Sequence, residues 1–217
     1  GEIPTMRNGF GVRPDPYGRR FDDLNGDGVG DVVVWISNDD DEKPQAVRAF
    51  SGSDGATLWT STAIDPDYAL WPRPAVGDLD GDGHAEVVVS HSRYERNRGY
   101  QCEIVVLDGN DGKPKWSHSW QGDVDLLPPL LVDFDGTGHR SICVGLDDSS
   151  YQLVIFDADG SIRDRWLIER GFSSLVQTWQ HGDLDGDGRD ELLFVHEGKL
   201  WASRGVKDEF LWSWDLP

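Results

Sequence analysis

Apolar and polar positions in this chain alternate on two scales. On the short scale, runs rich in Val, Ile and aromatic residues are broken by clusters of Asp, Gly, Asn and Ser. Residues 69–120 resolve into four such runs, at 74–79, 86–92, 103–108 and 115–120. An Asp-rich loop, a polar stretch and the turn Gly109-Asn110-Asp111-Gly112 separate them. Short apolar runs with breaks of this kind predict β-strands, and no window carries the 3.6-residue period of an amphipathic helix.

On the longer scale the whole pattern recurs. Similar Asp-rich loops open at Asp23, Asp78, Asp133 and Asp183, spaced 55, 55 and 50 residues apart. Each is followed by a second phrase: Asp54-Gly55 ahead of Trp59, Asp111-Gly112 ahead of Trp116, Asp159-Gly160 ahead of Trp166, and a decayed Gly205 ahead of Trp212. A period of about 50 residues denotes a repeat architecture. Four antiparallel strands per period, set radially, describe a blade of a β-propeller. The expectation is an all-β chain with an N-terminal extension at 1–16 and a propeller over 17–217. Its four four-stranded blades would lie near 17–62, 69–120, 126–170 and 176–215.

The first inner strand is expected at 17–23 and the last outer strand at 210–215, so no blade mixes strands from the two termini. Three arrangements satisfy this: a closed four-blade ring, four blades of a larger ring, or a half-ring that pairs. The last two leave open blade edges, and open edges and apolar faces seek partners, so self-association is expected of them.

The loops carry the chemistry. Asp78-Leu-Asp80-Gly-Asp82-Gly83-His84-Ala-Glu86 sets carboxylates at positions one, three, five and nine, with glycine at six. Oxygen donors at this spacing wrap a hard cation, and calcium takes six to eight oxygens in irregular geometry. Asp23, Asn25, Asp27 and Asp31 repeat the set, as do Asp183, Asp185, Asp187 and Glu191. Position seven (Val29, His84, Arg189) is expected to offer only its carbonyl oxygen. Three calcium (Ca2+) sites are therefore predicted. A fourth, degenerate copy holds Asp133, Asp135, Thr137 and His139, with Ser141 at position nine, and is expected to bind weakly or not at all.

An EF-hand would need Glu at position twelve and flanking helices. Position twelve here is Val34, Val89 or Phe194, inside apolar runs. One copy would pass as a plain Asp-Gly turn; three in register do not. Carboxylates this close repel without a cation, so ion binding should be linked to folding.

The loops resemble the calcium-binding repeats of the FG-GAP/VCBS type, found in integrin α-subunit propellers and many bacterial surface proteins. The Asp-Gly…Trp phrases resemble the blade repeat of PQQ-dependent dehydrogenase-like propellers. The resemblance spans all four units and implies a propeller with calcium on the loop positions above. Two departures stand out: Val34-Trp35-Ile36-Ser37 replaces the Gly-Ala-Pro end of the integrin repeat, and no residue set suggests a quinone. Modules of this kind bind calcium with Kd about 10⁻⁴–10⁻³ M, which implies an extracellular, cell-surface or periplasmic setting.

Charge agrees with bound cations. The 40 acidic residues against 20 Lys and Arg give a net charge of -20. Thirteen of the acids sit at likely ligand positions of the four loops, and three divalent ions would bring the formal charge to -14. An acidic chain with no basic stripe argues against a nucleic-acid partner. No apolar run approaches the roughly 20 residues of a membrane helix and no signal peptide is evident, so no membrane insertion is expected. The chain reads as a processed or excised segment, opening on Gly1 and ending at Pro217. Cys102 and Cys143 are too few for a disulfide framework; they can pair or stay reduced, with buried free thiols as the default expectation. The six histidines show no metal-type spacing, and no Ser/His/Asp or Cys/His set stands out.

Strand alternation sends the acidic loops and the Asp-Gly turns to one face, and the irregular connections to the other, where binding loops are expected. Of the ten tryptophans, Trp59, Trp116, Trp166 and Trp212 are expected at one equivalent position, packing sheet on sheet. Trp35, Trp120, Trp201 and Trp214 read as core or edge residues. Trp71 and Trp179 precede inner strands and are freer to meet a ligand. The acidic run at 37–43 reads as a solvated loop. The segment 91–100 reads as an irregular loop holding Arg93, Tyr94, Arg96, Arg98 and Tyr100. Arginine forks grip carboxylates and tyrosines stack on sugars, so the expected partner is an anionic glycan or an acidic protein surface.

The functional expectation is a calcium-stabilised binding module of an extracellular or surface protein. Two alternatives stand beside it. Resemblance to the calcium-rich propeller of rhamnogalacturonan lyases implies part of a polysaccharide lyase. A purely structural half-propeller is the other.

Overall fold

The computed structural model describes residues 22–36, 46–61, 63–64, 70–95, 99–121, 125–147, 152–167, 180–196, 198–205 and 210–216. These residues form sixteen strands in four successive antiparallel sheets. Sheet 1 holds β1 (Val32–Ile36), β2 (Ala46–Phe50) and β3 (Thr57–Ser61). Sheet 2 holds β4 (Leu70–Gly77), β5 (Glu86–Glu95), β6 (Gly99–Asp108) and β7 (Pro114–Gln121). In sheet 3, β8 (Asp125–Leu126) and β9 (Leu130–Val132) both pair with β10 (Ser141–Asp147), which continues to β11 (Gln152–Phe156) and β12 (Ile162–Leu167). Sheet 4 is β13 (Gln180–Gly182), β14 (Glu191–His196), β15 (Lys199–Ser203) and β16 (Phe210–Asp215). The predicted extension at 1–16, most of the predicted strand at 17–23 and the acidic run at 37–43 lie outside the described residues.

The central strands read as continuous apolar runs because each inner sheet is covered on both faces. Val87, Val89, Val105 and Leu107 of sheet 2 pack against Leu24, Val47, Ala49 and Trp59 of sheet 1. The other face of sheet 2, with Val88, Ile104 and Val106, meets Ile142, Val144 and Phe156 of sheet 3. Cys143, Leu153, Ile155 and Trp166 then meet Leu192 and Phe194 of sheet 4. No core among the described residues joins sheet 4 back to sheet 1.

Sheet 3 shows how local chemistry edits the repeat. Pro128 and Pro129 cannot donate to a ladder, so the first strand is split into β8 and β9. Leu127 N donates to the Gly145 carbonyl at 2.9 Å between the two pieces.

One irregularity recurs in all four sheets. The ladder between the last two strands of each sheet carries a bulge at Ala49–Trp59, Val106–Trp116, Ile155–Asp164 and Ala202–Trp212, where the next pairing skips one residue of the last strand. This register corrects one expectation. Trp166 pairs with Leu153, two residues beyond the position of Trp59, Trp116 and Trp212, which Asp164 occupies. The phrase is two residues longer in that repeat, and the bulge fixes the register ahead of the extra length. The segment 91–100 is also corrected: Arg93 pairs with Gln101 and Tyr94 with Tyr100, so it is the end of a hairpin of two ten-residue strands. Ladder bonds extend a hairpin whatever its side chains, and the polar composition hid this. Trp71 likewise lies within β4 instead of ahead of it.

Candidate metal centres

All four loops share a backbone frame built around the first aspartate. Asp78 accepts Gly81 N at 2.7 Å on Oδ1 and Gly83 N at 2.9 Å on Oδ2. The same pair of bonds forms at Asp23, Asp133 and Asp183. Both glycines have positive φ, 76° and 88° in this loop, a conformation that side chains with a Cβ rarely adopt. Position five accepts the N–H of position seven: Asp27 from Val29, Asp82 from His84 and Asp187 from Arg189. Position nine reaches back to position two. Asp31, Glu86 and Glu191 accept from Leu24 N, Leu79 N and Leu184 N at 2.8, 3.0 and 2.9 Å.

Loops 2 and 4 gather unsatisfied negative charge. Asp78, Asp80 and Glu86 each present a carboxylate oxygen within 4.8 Å of the others, and so do Asp183, Asp185 and Glu191. These clusters can hold a metal ion. Glu191 is fully buried, and its Oε1 has no hydrogen-bond partner. Burial pushes its carboxyl above the usual range; the Leu184 N–H opposes this, Asp185 and Asp187 add to it, and Arg204 opposes it. A buried oxygen left unbonded among carboxylates is costly, and a cation is the group that would satisfy it.

Two side chains that the sequence reading did not single out bring positive charge to these clusters. Lys115 Nζ lies 2.7 Å from Glu86 Oε1 and 3.4 Å from Asp80 Oδ2, and its hydrogen bond to Glu86 raises its pKa. Arg204 Nη2 lies 2.8 Å from Asp185 Oδ2 and 3.7 Å from Asp187 Oδ2, and its Nε lies 3.9 Å from Glu191 Oε1, beyond hydrogen-bond reach.

Loops 1 and 3 solve the problem differently. In loop 1 the third position is the neutral Asn25. Asp31 Oδ1 accepts Gly52 N at 3.0 Å and Asp27 Oδ2 accepts the Ser53 hydroxyl at 3.1 Å. In loop 3, Ser141 replaces the ninth-position acid and accepts Arg163 Nη1 at 2.9 Å. Arg163 also lies over the Phe134 ring, 5.9 Å from its centroid, and 3.9 Å from Asp157. Thr137 donates its hydroxyl to Asp135, which holds that carboxyl below the usual range. A guanidinium thus stands beside the ninth position where loops 2 and 4 bury a glutamate. Arg163 and Lys115 occupy the same structural place, the unpaired residue of the recurring bulge. Composition alone could not reveal them, because only the ladder register aims that residue at the loop.

Loops 2, 3 and 4 are joined to one another. Arg140 N donates to Leu79 O at 3.2 Å and Asp190 N to Asp133 O at 2.7 Å. His139 lies against Gly81, where a Cβ would strike its ring.

The predicted glycan-binding residues do not join this site. Glu86 opens β5 beside loop 2, whereas Arg93 and Tyr94 end it, about 20–25 Å away at roughly 3.3 Å per residue. Tyr100 pairs with Tyr94 at that far end, and Arg96, Arg98 and Trp179 lie outside the described residues. Neither cysteine forms a disulfide and both are buried; burial pushes the Cys143 thiol strongly upward, leaving it inert.

Four consecutive antiparallel sheets with acidic corners define a propeller-like all-β repeat protein. Residues 23–89, spanning the first two loops, match the FG-GAP-like repeat model. The chain is 22% identical over 245 aligned residues to the rhamnogalacturonan endolyase YesW of Bacillus subtilis (strain 168), which covers 85% of this chain and 39% of that protein. It is 25% identical over 174 residues to the G-type lectin S-receptor-like serine/threonine-protein kinase LECRK1 of Oryza sativa subsp. japonica, covering 78% of this chain and 20% of that protein. Among solved structures, rhamnogalacturonan lyase YesW superposes with a TM-score of 0.58 at 18% identity, over 86% of this chain and 46% of that one. BamB from Moraxella catarrhalis superposes with a TM-score of 0.51 at 15% identity, over 89% and 50%. The chain therefore spans half or less of each of these proteins, and the superpositions concern the fold.

Proposed function

We propose that this chain is a calcium-stabilised propeller segment acting as a carbohydrate-binding module outside the cytoplasm. The observation that carries the calcium part is the buried Glu191 Oε1, unbonded and facing Asp183 and Asp185. All-oxygen donors, irregular spacing and several carboxylates suit calcium better than zinc or copper, which favour nitrogen and sulfur. Asp23, Asn25, Asp27 and Asp31 would supply a third site, with Val29, His84 and Arg189 adding carbonyl oxygens. Calcium would neutralise each corner and tie the first strand of a blade to the second. Outside concentrations of calcium are high enough to fill sites of this class, which supports the extracellular, cell-surface or periplasmic placement.

Carbohydrate is the target supported by the two curated relatives, an endolyase of rhamnogalacturonan and a G-type lectin S-receptor-like kinase. Arg93, Arg96 and Arg98, with Tyr94 and Tyr100, are the residues we assign to an anionic glycan, and Trp71 and Trp179 are the next candidates. Changing the three arginines to Ser should abolish retention on uronate-rich polysaccharide, and undiminished retention refutes the assignment. Calcium itself is tested by melting the protein in excess EGTA. Each ion removed costs about 2.7 kcal/mol at a hundredfold excess over Kd, so two or three ions correspond to a drop of about 10–30 °C for a chain this size. A melting temperature that ignores EGTA ends the calcium reading.

The endolyase match favours a second reading, in which this chain is part of a polysaccharide lyase. That activity would show as new ultraviolet absorbance from an unsaturated product on pectic substrates. Its absence, with binding retained, leaves the non-catalytic module.

A further inference from the structure

Between sheets 3 and 4, Asp164 holds the tryptophan position and accepts the Trp166 Nε1 hydrogen bond, but the two interfaces of sheet 2 follow one rule. The tryptophan of one sheet donates its Nε1 to a carbonyl in the tight turn of the next: Trp59 to Gly109 at 2.6 Å and Trp116 to Ala158 at 2.8 Å. A left-handed glycine in that turn lies against the ring, Gly112 under Trp59 and Gly160 under Trp116, where any Cβ would collide. The apolar residue at loop position two adds to the seam, with Leu24 reaching Gly109 and Phe134 reaching Gly205.

Sheet 4 carries the donor half of this seam with nothing described on it. Trp212 pairs with Ala202 as Trp59 pairs with Ala49 and Trp116 with Val106. It is 43% exposed, and Trp214 is 70% exposed. Leu184 at loop position two is 45% exposed, against 4%, 1% and 7% for Leu24, Leu79 and Phe134. Sheet 1 carries the acceptor half. Gly52 and Gly55 stand in its turn as Gly109 and Gly112 do in sheet 2, and the space over Gly55 is open. Val32, Val34 and Phe50 are half-buried, whereas their counterparts Val87, Val89 and Leu107 are fully buried.

We propose that the Trp212–Trp214 face of sheet 4 docks on the Gly52–Gly55 face of sheet 1 in a second copy of this chain, head to tail. One chain holds both complementary halves of a seam that it already forms internally, which is why the occupant is another copy of itself. The contact pairs two different faces, so two copies can close with two such seams. Trp212 Nε1 would bond the Gly52 carbonyl of the other copy, with its ring over Gly55. The proposal does not depend on which ion or ligand the loops bind.

The test is the mass in solution, by light scattering and sedimentation, of the 217-residue chain and two variants. The parent chain should be a dimer at micromolar concentration. Trp212→Glu with Trp214→Glu removes the donor face. Gly55→Asn keeps the left-handed turn, which Asn tolerates, and blocks the acceptor face. Each variant alone should be monomeric, with Kd raised more than tenfold. An equimolar mixture of the two keeps one intact seam and should recover a heterodimer. Dichroism confirms folding, and Leu184→Lys replaces the tryptophan variant if that one misfolds. A monomeric parent chain, a dimer insensitive to either variant, or no heterodimer in the mixture each overturns the proposal.

Discussion

Loops 3 and 4 are consecutive versions of one hairpin corner with opposite electrostatics. Both hang on a first aspartate that accepts two glycine N–H groups. Loop 4 then buries Glu191 with one oxygen unbonded, whereas loop 3 offers Ser141 to the guanidinium of Arg163. The backbone frame therefore does not itself require a metal ion. What the corner requires is a compensating positive charge, which the solvent can supply as an ion or the chain as a side chain.

Glu191→Gln should disturb this contrast most. In calcium it should remove one site from the titration stoichiometry and about 2–3 kcal/mol of stability. In EGTA the same variant should cost less than in calcium, since Glu191 then has only the Arg204 guanidinium, 3.9 Å from its Oε1, as counter-charge. A loss of equal size in both conditions would mean that Glu191 acts through packing alone. Arg163→Met is the converse. It should cost about 1–3 kcal/mol by the same amount with and without calcium, measured by denaturant unfolding. A calcium-dependent cost would show that loop 3 also takes an ion.

A smaller effect is expected at loop 2. Lys115 is partly exposed and competes with an ion for Glu86, so Lys115→Met should tighten calcium binding there by about threefold to tenfold in calorimetric titration. Weaker binding would mean that Lys115 supports the site. The smallest effect is expected far from the loops, at His118. Its ring lies 4.5 Å from Trp120 and 5.3 Å from Phe156, and burial, then Arg165, holds its pKa below 6.5. Above the unfolded value both states are neutral and its contribution is intact. As pH falls from 6.5 through the folded value, the unfolded chain takes up the proton first and stability declines. His118→Gln should flatten that part of the stability–pH curve, and an unchanged slope assigns it to other groups.

Much of this architecture was legible in the sequence because its signals are local. Asp-x-Asp-Gly spacing, glycines at fixed offsets and Val-rich runs each act within a few residues, and they mark the corners and most strands. Features set by register were not legible. Lys115 and Arg163 lie twenty residues or more from the loops they serve, and only the bulge aims them there. Trp166 followed the repeat phrase in sequence but not in the ladder, where Asp164 holds its place. The arms of the β5–β6 hairpin were hidden by polar composition, although cross-strand bonding is indifferent to it. How the first and last sheets are partnered was not legible either, since it depends on contacts between the most distant parts of the chain.

The recurring bulge has a consequence for how such a chain can diverge. Its extra residue has no partner in the ladder, so it can be exchanged without loss of strand pairing. The four occupants here are Leu58, Lys115, Arg163 and Leu211. A single substitution at that spot can thus retune the charge of one corner and leave the other three untouched.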